Sequence, residues 1–407
     1  MNLLRPQKPY EFCPPKYDAW FRPVLHLLSR FFLRYRFNIR QVKVTGAAEL
    51  ARWVREGHSV LVTPNHADHA DPALLVEVGR RYGIAFHFMA ARECFEQGWV
   101  RRFVLQRSGA FSVDREGADL AAIRTAMSVL RECRHPLVIF PEGEIYHHHE
   151  ELDLLNEGVA TILLRSSEKL PEGKRGCAVP TAIRVRHAPE MAETFGQRLD
   201  ALESRITWKP KSALSPVERV YHLGSALLSV KEEEFMGRAQ PGDLVERIRN
   251  LQECLVSEVE RKYGLAAAKH PIPLRIKAIR HAIRQRLTAV NEPVTKGVEG
   301  ELYDDLDRVF TAQQLYSYPG RYLREHPTMD RIAETIYKLE EDVLQKERYP
   351  VARTAEVVFG EPIEVTHFLK EHKVDTRSGV QPLTRLIAYE IRQLMERMKE
   401  EERAGNA

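Results

Sequence analysis

The chain has 407 residues, of which 43% are hydrophobic and 29% charged, the balance of a globular protein that buries a core. Its formal net charge is only +4, which gives no global pull towards nucleic acid, although local basic clusters can still favour an anionic surface. The five cysteines (Cys13, Cys94, Cys133, Cys177 and Cys254) are scattered, without the spacing of a disulfide framework or zinc knuckle, and suit a reducing cytoplasmic setting.

No apolar run approaches the roughly 20 residues of a membrane-spanning helix, and the N-terminus lacks the basic-then-apolar pattern of a signal peptide. Work on lipid therefore implies attachment at the inner face of a membrane from the cytoplasmic side.

Taken in chain order, residues 18–37 form the first element. Val24, Leu27, Leu28, Phe31, Phe32 and Tyr35 recur at helical spacing, with Arg30, Arg34 and Arg36 elsewhere on the wheel. Pro23 suits the first turn. The helix either docks on the core or lies in a membrane interface.

From residue 58 to 186 short apolar strands alternate with helical stretches. SVLVT (59–63), AFHFM (85–89), AFSV (110–113), PLVIF (136–140) and AVPTAIRV (178–185) read as strands, with helical patterns near 71–83, 92–106, 118–134 and 156–169. Such alternation predicts an α/β fold with a mostly parallel mixed sheet flanked by helices. Polar clusters follow the first, third and fourth strands (NHADHAD, DRE and PEGE), at the carboxyl ends where such sheets gather their ligands.

Residues 190–350 change character: charged helical patterns dominate and strand signals nearly vanish. TAEVVFGEPIEV (354–365) then reads as a further strand with a Gly turn, followed by a helix near 381–402. The expected organisation is an N-terminal amphipathic segment (1–40), a core (41–190), a large helical insertion (191–350) and a closing strand and helix of the core (351–407). No internal repeat or low-complexity tract stands out.

His66 and Asp71 form an H-x-x-x-x-D pair. A histidine is the usual general base near neutral pH, and a carboxylate beside it fixes its tautomer. On one regular helix the pair would lie about 140° apart, at about 100° per residue. They meet only if His66 sits in a turn and Asp71 enters the next helix, as an Asp N-cap before Pro72 suggests. Equally, Asp71 could be only a helix cap and His66 only a loop residue.

The ordered set NHADHAD (65–71), GAFSVDR (109–115), FPEGE (140–144) and AVPTAI (178–183) resembles the four motif blocks of the glycerolipid acyltransferase superfamily, which includes lysophosphatidic acid and other lysophospholipid acyltransferases. The resemblance covers about residues 40–190 and resumes at VVFGEPIEV, similar to that domain's closing strand.

It implies acyl transfer from acyl-CoA or acyl carrier protein to the hydroxyl of a lysophospholipid or glycerol-phosphate-type acceptor, with no metal or organic cofactor. His66 would deprotonate the hydroxyl and Asp71 would orient it. Asn65, Arg115, Pro141, Glu142, Gly143 and Pro180 would be the substrate-binding positions, Arg115 taking the acceptor's phosphate and Gly143 allowing close backbone approach. One departure opens the acceptor's identity: the common third block continues Thr-Arg-Ser, whereas Glu144, Ile145 and Tyr146 stand here.

Bland readings stand beside these. Arg115 also fits a surface ion pair with Asp114 or Glu116, and Glu142 a turn cap. His66, Asp68 and His69 form H-x-D-H, part of a metallohydrolase pattern whose first histidine would fall at Pro64; a metal-dependent hydrolase using that cluster is the alternative function. His147, His148 and His149 read as a solvated loop, with metal binding or pocket lining as the alternative. Finally, RIKAIRHAIRQRL (275–287) is a basic amphipathic helix, with Ile276, Ile279, Ile283 and Leu287 on one face. It either packs with its basic side solvated or binds anionic lipid or an acidic partner.

Overall fold

The computed structural model describes residues 10–115, 119–265, 269–287, 296–346, 348–374 and 376–405. The chain divides into two compact units, one from residues 10–115, 119–188 and 349–407, the other from 189–348.

The first unit opens with a 3₁₀ turn (Ala19–Phe21) and helix α1 (Arg22–Phe31), which runs into a π-turn over Phe32–Arg36. Then follow β1 (Ile39–Thr45), α2 (Ala47–Arg55), β2 (Ser59–Pro64), α3 (Asp71–Tyr82), β3 (His87–Ala91), α4 (Glu93–Glu96) and α5 (Trp99–Arg107). After these come β4 (Ala110–Val113), α6 (Leu120–Glu132), β5 (Leu137–Val138), α7 (Gly158–Ser167) and β6 (Gly176–His187).

Two features depart from expectation. The single helix predicted over 92–106 is broken into α4 and α5 at Gly98, whose φ of +118° is a conformation helices do not contain. The strand β1 and helix α2 were not anticipated: β1 is an edge strand with much of its length exposed, so it carries a weak apolar signal.

The second unit supplies α8 (Met191–Ile206), α9 (Pro216–Met236), α10 (Leu244–Tyr263), α11 (Ile272–Leu287), α12 (Lys296–Tyr316), α13 (Tyr322–Glu325) and α14 (Met329–Leu344). The chain then returns to the first unit as β7 (Arg353–Phe359), β8 (Ile363–Glu364), α15 (Thr366–Val374) and α16 (Thr376–Gly405).

The sheet runs β1-β7-β6-β2-β5-β3-β4, with β8 also on β6. Strands β6, β2, β5, β3 and β4 are parallel, while β7 and β8 pair with β6 antiparallel and β1 lies parallel to β7. The fold is therefore α/β with a mostly parallel mixed sheet flanked by helices. β2 is buried along its whole length, as a central parallel strand covered on both faces must be. Its residues alternate: Val60 and Val62 pack with Trp53, Leu74 and Val78 on one face, and Leu61 with Leu130, Leu163 and Ile391 on the other.

The helical unit contains a repeat that the sequence reading missed. Helices α9, α10 and α11 begin at Pro216, Leu244 and Ile272, and each carries an arginine as its fourth residue: Arg219, Arg247 and Arg275. Each guanidinium pairs at 2.7 Å with a glutamate on the preceding helix, Glu203, Glu232 and Glu260 respectively. All six side chains are buried, and such a charge removed from water must be paired.

The isoleucines of α11 pack inside this unit, while Leu274 stays exposed. Ile276, Ile279 and Ile283 join Leu251, Leu255 and Val259 of α10 and Leu302 and Val309 of α12 in one core, leaving Lys277 exposed. The packed reading of this helix holds over the residues whose surroundings are described; the side chain of Leu287 lies outside them. No helix among the described residues is long and apolar enough to cross a membrane.

Candidate active site

Strands β2 and β5 are neighbours, so the loops leaving their carboxyl ends lie side by side. The first, residues 65–70, is anchored to β6. Asn65 donates its backbone N–H to Thr181 O at 3.3 Å, its Nδ2 donates to Ile183 O at 3.0 Å, and its Oδ1 accepts Ile183 N–H at 2.7 Å. Both ends of this buried amide are therefore spent on the sheet. The structure gives Asn65 the task of fixing the loop on β6.

His66 and Asp71 meet as the loop geometry requires. His66 Nδ1 lies 2.9 Å from Asp71 Oδ2, and the same carboxylate oxygen accepts the backbone N–H groups of Ala67 (3.1 Å) and Asp68 (3.0 Å). Asp71 is the first residue of α3, with Ala70 at the N-cap position. Its carboxylate turns back onto the loop and does not cap the helix, which corrects the N-cap expectation. On its other flank the imidazole stacks on Phe140, with ring centroids 3.9 Å apart and planes inclined by 23°. Nδ1 is thus engaged and the ring retains 15% exposure, leaving Nε2 as the atom free to take a proton.

The loop after β5 makes a tight turn. Gly143 donates to Phe140 O at 3.1 Å, with Pro141 at the position whose fixed φ favours such turns. Gly143 has φ +79°, and a Cβ there would sit 3.2 Å from Asn156 Nδ2. A side chain would be both strained and crowded. Glu142 is buried within this turn. Its Oε1 accepts the backbone N–H of His66 at 2.8 Å and its Oε2 that of Asp153 at 3.0 Å. Burial pushes its carboxyl up to about 8, against the pull of these two hydrogen bonds.

Arg115, after β4, reaches the same turn. Its Nη1 donates to Gly143 O at 2.5 Å and lies 2.9 Å from Glu144 Oε2; its Nη2 lies 3.7 Å from Glu93 Oε2. Among the described residues the acids beside it thus come from α4 and the loop after β5 and not from Asp114, while Glu116 lies outside the described residues. Pro180 sits in β6 opposite Thr63 of β2, and its carbonyl accepts Gly360 N–H at 2.8 Å. It belongs to the sheet beneath the loop.

The remaining candidates take other places. Asp68 is buried against Arg353, with Oδ2 2.5 Å from Nη1, and its Oδ1 accepts Ala70 N–H at 2.8 Å. Burial raises its carboxyl, but Arg353 and His149 outweigh that and hold it well below the usual carboxylate range. His66 is committed to Asp71, and Asp68 to Arg353. Among the described residues, His66, Asp68 and His69 do not bring their ligand atoms to one point.

His147 and His149 are buried, and the His147 ring meets that of His69 edge-on at 5.6 Å. The solvated loop expected at 147–149 is corrected accordingly: the run follows Tyr146 into the interior. Phe140, Glu93 and Arg353 were missed altogether. Phe140 reads as the apolar end of a strand, and nothing in the sequence ties Arg353 to Asp68.

Residues 41–179 match the model of the family described as Acyltransferase. No curated protein matches the chain.

Proposed function

We propose, from the match of residues 41–179 to the family described as Acyltransferase, that the chain moves a fatty acyl group from acyl-CoA or acyl carrier protein to the hydroxyl of a lysophospholipid-type acceptor. The observation that carries this reading is the 2.9 Å contact between His66 Nδ1 and Asp71 Oδ2, made on a ring whose opposite nitrogen is available.

In the proposed reaction the acceptor hydroxyl gives its proton to His66 Nε2 as its oxygen bonds to the thioester carbonyl carbon. The tetrahedral adduct collapses with cleavage of the carbon–sulfur bond. The proton on Nε2 then passes to the departing sulfur, leaving an ester and a free thiol. Asp71 keeps Nδ1 protonated and stabilises the imidazolium formed in between. Glu142 and Asn65 act by positioning, one on the His66 backbone and the other on β6. Arg115 contacts the acceptor's phosphate.

We assign the attachment surface to α1 and α5. Ser29 donates to Ala73 O on α3 at 2.9 Å and Leu33 is buried, so one side of the α1 segment docks. Leu27 (71% exposed), Phe31 and Tyr35 stand outward, joined by Trp99 (80% exposed) and Val100 of α5. Phe21, in the turn that leads into α1, meets Phe103 of α5 edge-on at 5.9 Å, which places the start of α1 beside α5. This favours contact with a bilayer surface.

The test is direct. Purified protein is incubated with acyl-CoA and a set of lysophospholipids, and acylated products are identified by mass spectrometry. Product is expected with the native chain and about 10²–10⁴-fold less of it per unit time with His66→Ala; native turnover in that variant overturns the proposal.

A further inference from the structure

The charge around Arg115 defines the acceptor more narrowly than the motif blocks do. Its guanidinium is set between two carboxylates, Glu144 at 2.9 Å and Glu93 at 3.7 Å. Glu144 stands where the common third block has threonine, and Glu93 belongs to α4. Arg92, beside Glu93 in sequence, lies 3.6 Å from Glu96 and 4.0 Å from Glu93, so it leaves no surplus positive charge at this spot. The Arg115 side chain is 36% exposed, and its two acids are about as open. A ligand can therefore reach Arg115 and Glu144, and Glu93 only away from its buried Oε2.

The cluster adjoins the reacting centre. Glu142 holds the backbone of His66, and the next residue, Gly143, holds Arg115 through its carbonyl. In a lysophospholipid the carbon bearing the free hydroxyl is bonded to the carbon that carries the phosphate, or lies one carbon further off. A headgroup must thus lie beside a hydroxyl placed at His66.

We propose that this site takes a zwitterionic headgroup, a phosphodiester bound by Arg115 and an ammonium bound by Glu93 and Glu144, and disfavours a phosphate monoester. One cation between two anions leaves the cluster net negative. A phosphate monoester carries about −1.5 to −2 charges near pH 7 and would have to displace Glu144 from Arg115 while facing Glu93. A phosphodiester with an ammonium group carries no net charge and satisfies both signs at once. This inference rests on the acyl-transfer reading given above and narrows its acceptor.

The experiment compares three acceptors with the same acyl chain and a free glycerol hydroxyl, bearing phosphoethanolamine, phosphoglycerol or a phosphate monoester. kcat/KM with acyl-CoA and equilibrium binding below the micellar concentration are both measured on the full chain. The phosphoethanolamine acceptor is expected to lead the monoester by about tenfold or more, the scale set by one unscreened like-charge contact at a protein surface, with phosphoglycerol also behind it. Glu144→Thr and Glu93→Gln should narrow that ratio in both readouts, by lowering KM for the monoester and raising it for phosphoethanolamine.

Equal or better use of the monoester by the native chain overturns the inference, as does an unchanged ratio in both variants. If no acceptor is acylated, the acyl-transfer reading fails, and the binding ratio still decides whether the headgroup preference exists.

Discussion

Glu142 accepts the backbone N–H of His66 through one oxygen and that of Asp153 through the other, at 2.8 and 3.0 Å, so a single buried carboxyl fastens the loop after β2 to the loop after β5. Its burial raises it from the ordinary carboxylate value to about 8. The folded chain therefore keeps this proton over a range where the unfolded chain has released it. Stability from this group is fully present below the ordinary carboxylate pKa and is lost as pH rises towards about 8. Glu142→Gln should remove that component. Denaturant unfolding at pH 5, 6.5 and 8 checks it, and a variant that loses stability with pH as steeply as the native chain contradicts the assignment.

Removal of the base and removal of its orienting partner should differ from a folding defect. His66→Ala is expected to lower kcat by about 10²–10⁴-fold, the usual contribution of a positioned general base. Asp71→Asn keeps the shape but presents an amide to Nδ1, and a fall of about 10³–10⁴-fold in kcat with little change in KM is expected. Circular dichroism should remain native for both. A native kcat in Asp71→Asn excludes its orienting role.

How much of this was legible in the sequence follows from the range of each interaction. The pairing of His66 with Asp71 spans five residues and could be argued from the turn it needs, whereas Asp68 and Arg353 are 285 residues apart and neither residue advertises the other. Phe140 was hidden because an aromatic residue at a strand end looks like core, yet it forms a wall of the site. The sheet was readable where strands are buried on both faces, as at β2, and failed at β1, where exposed positions dilute the alternation. The repeat in α9–α11 was missed because its signature is three arginines and their partners among many surface charges; only burial separates them. The masking of Arg115 could be half-seen, since Glu144 departs visibly from the motif, but Glu93 arrives from helix α4.

The Asp68–Arg353 contact makes a stability prediction. Both groups are buried, and their contact ties the returning strand β7 to the loop after β2, while Arg353 also donates through Nε to Phe37 O at 2.9 Å. Arg353→Met leaves Asp68 as an uncompensated buried anion, at a cost of about 3–5 kcal/mol. Adding Asp68→Asn should recover part of that loss, and a double-mutant cycle by denaturant unfolding measures the coupling. Strictly additive effects would show that the two charges do not stabilise each other.

The outward side of α1 makes the last prediction. Residues 19–48 contain Arg22, Arg30, Arg34, Arg36, Arg40 and Lys43 and no acid, so the segment that bears the exposed Leu27, Phe31 and Tyr35 contributes only positive charge of its own. An apolar face with basic flanks gains from both burial in the headgroup region and attraction to anionic lipid. Binding should therefore be stronger to vesicles containing anionic lipid than to zwitterionic ones, and should weaken in high salt, which screens only the second contribution. Burial of one large apolar side chain is worth about 1.5–3 kcal/mol, so Leu27→Glu or Trp99→Glu should reduce vesicle binding by about tenfold or more. Neither side chain lies in the loops around His66, so turnover of a short-chain, water-soluble acceptor should stay at the native rate. Vesicle cosedimentation checks the first outcome and product formation the second. Undiminished binding in both variants would remove α1 and α5 from the attachment surface.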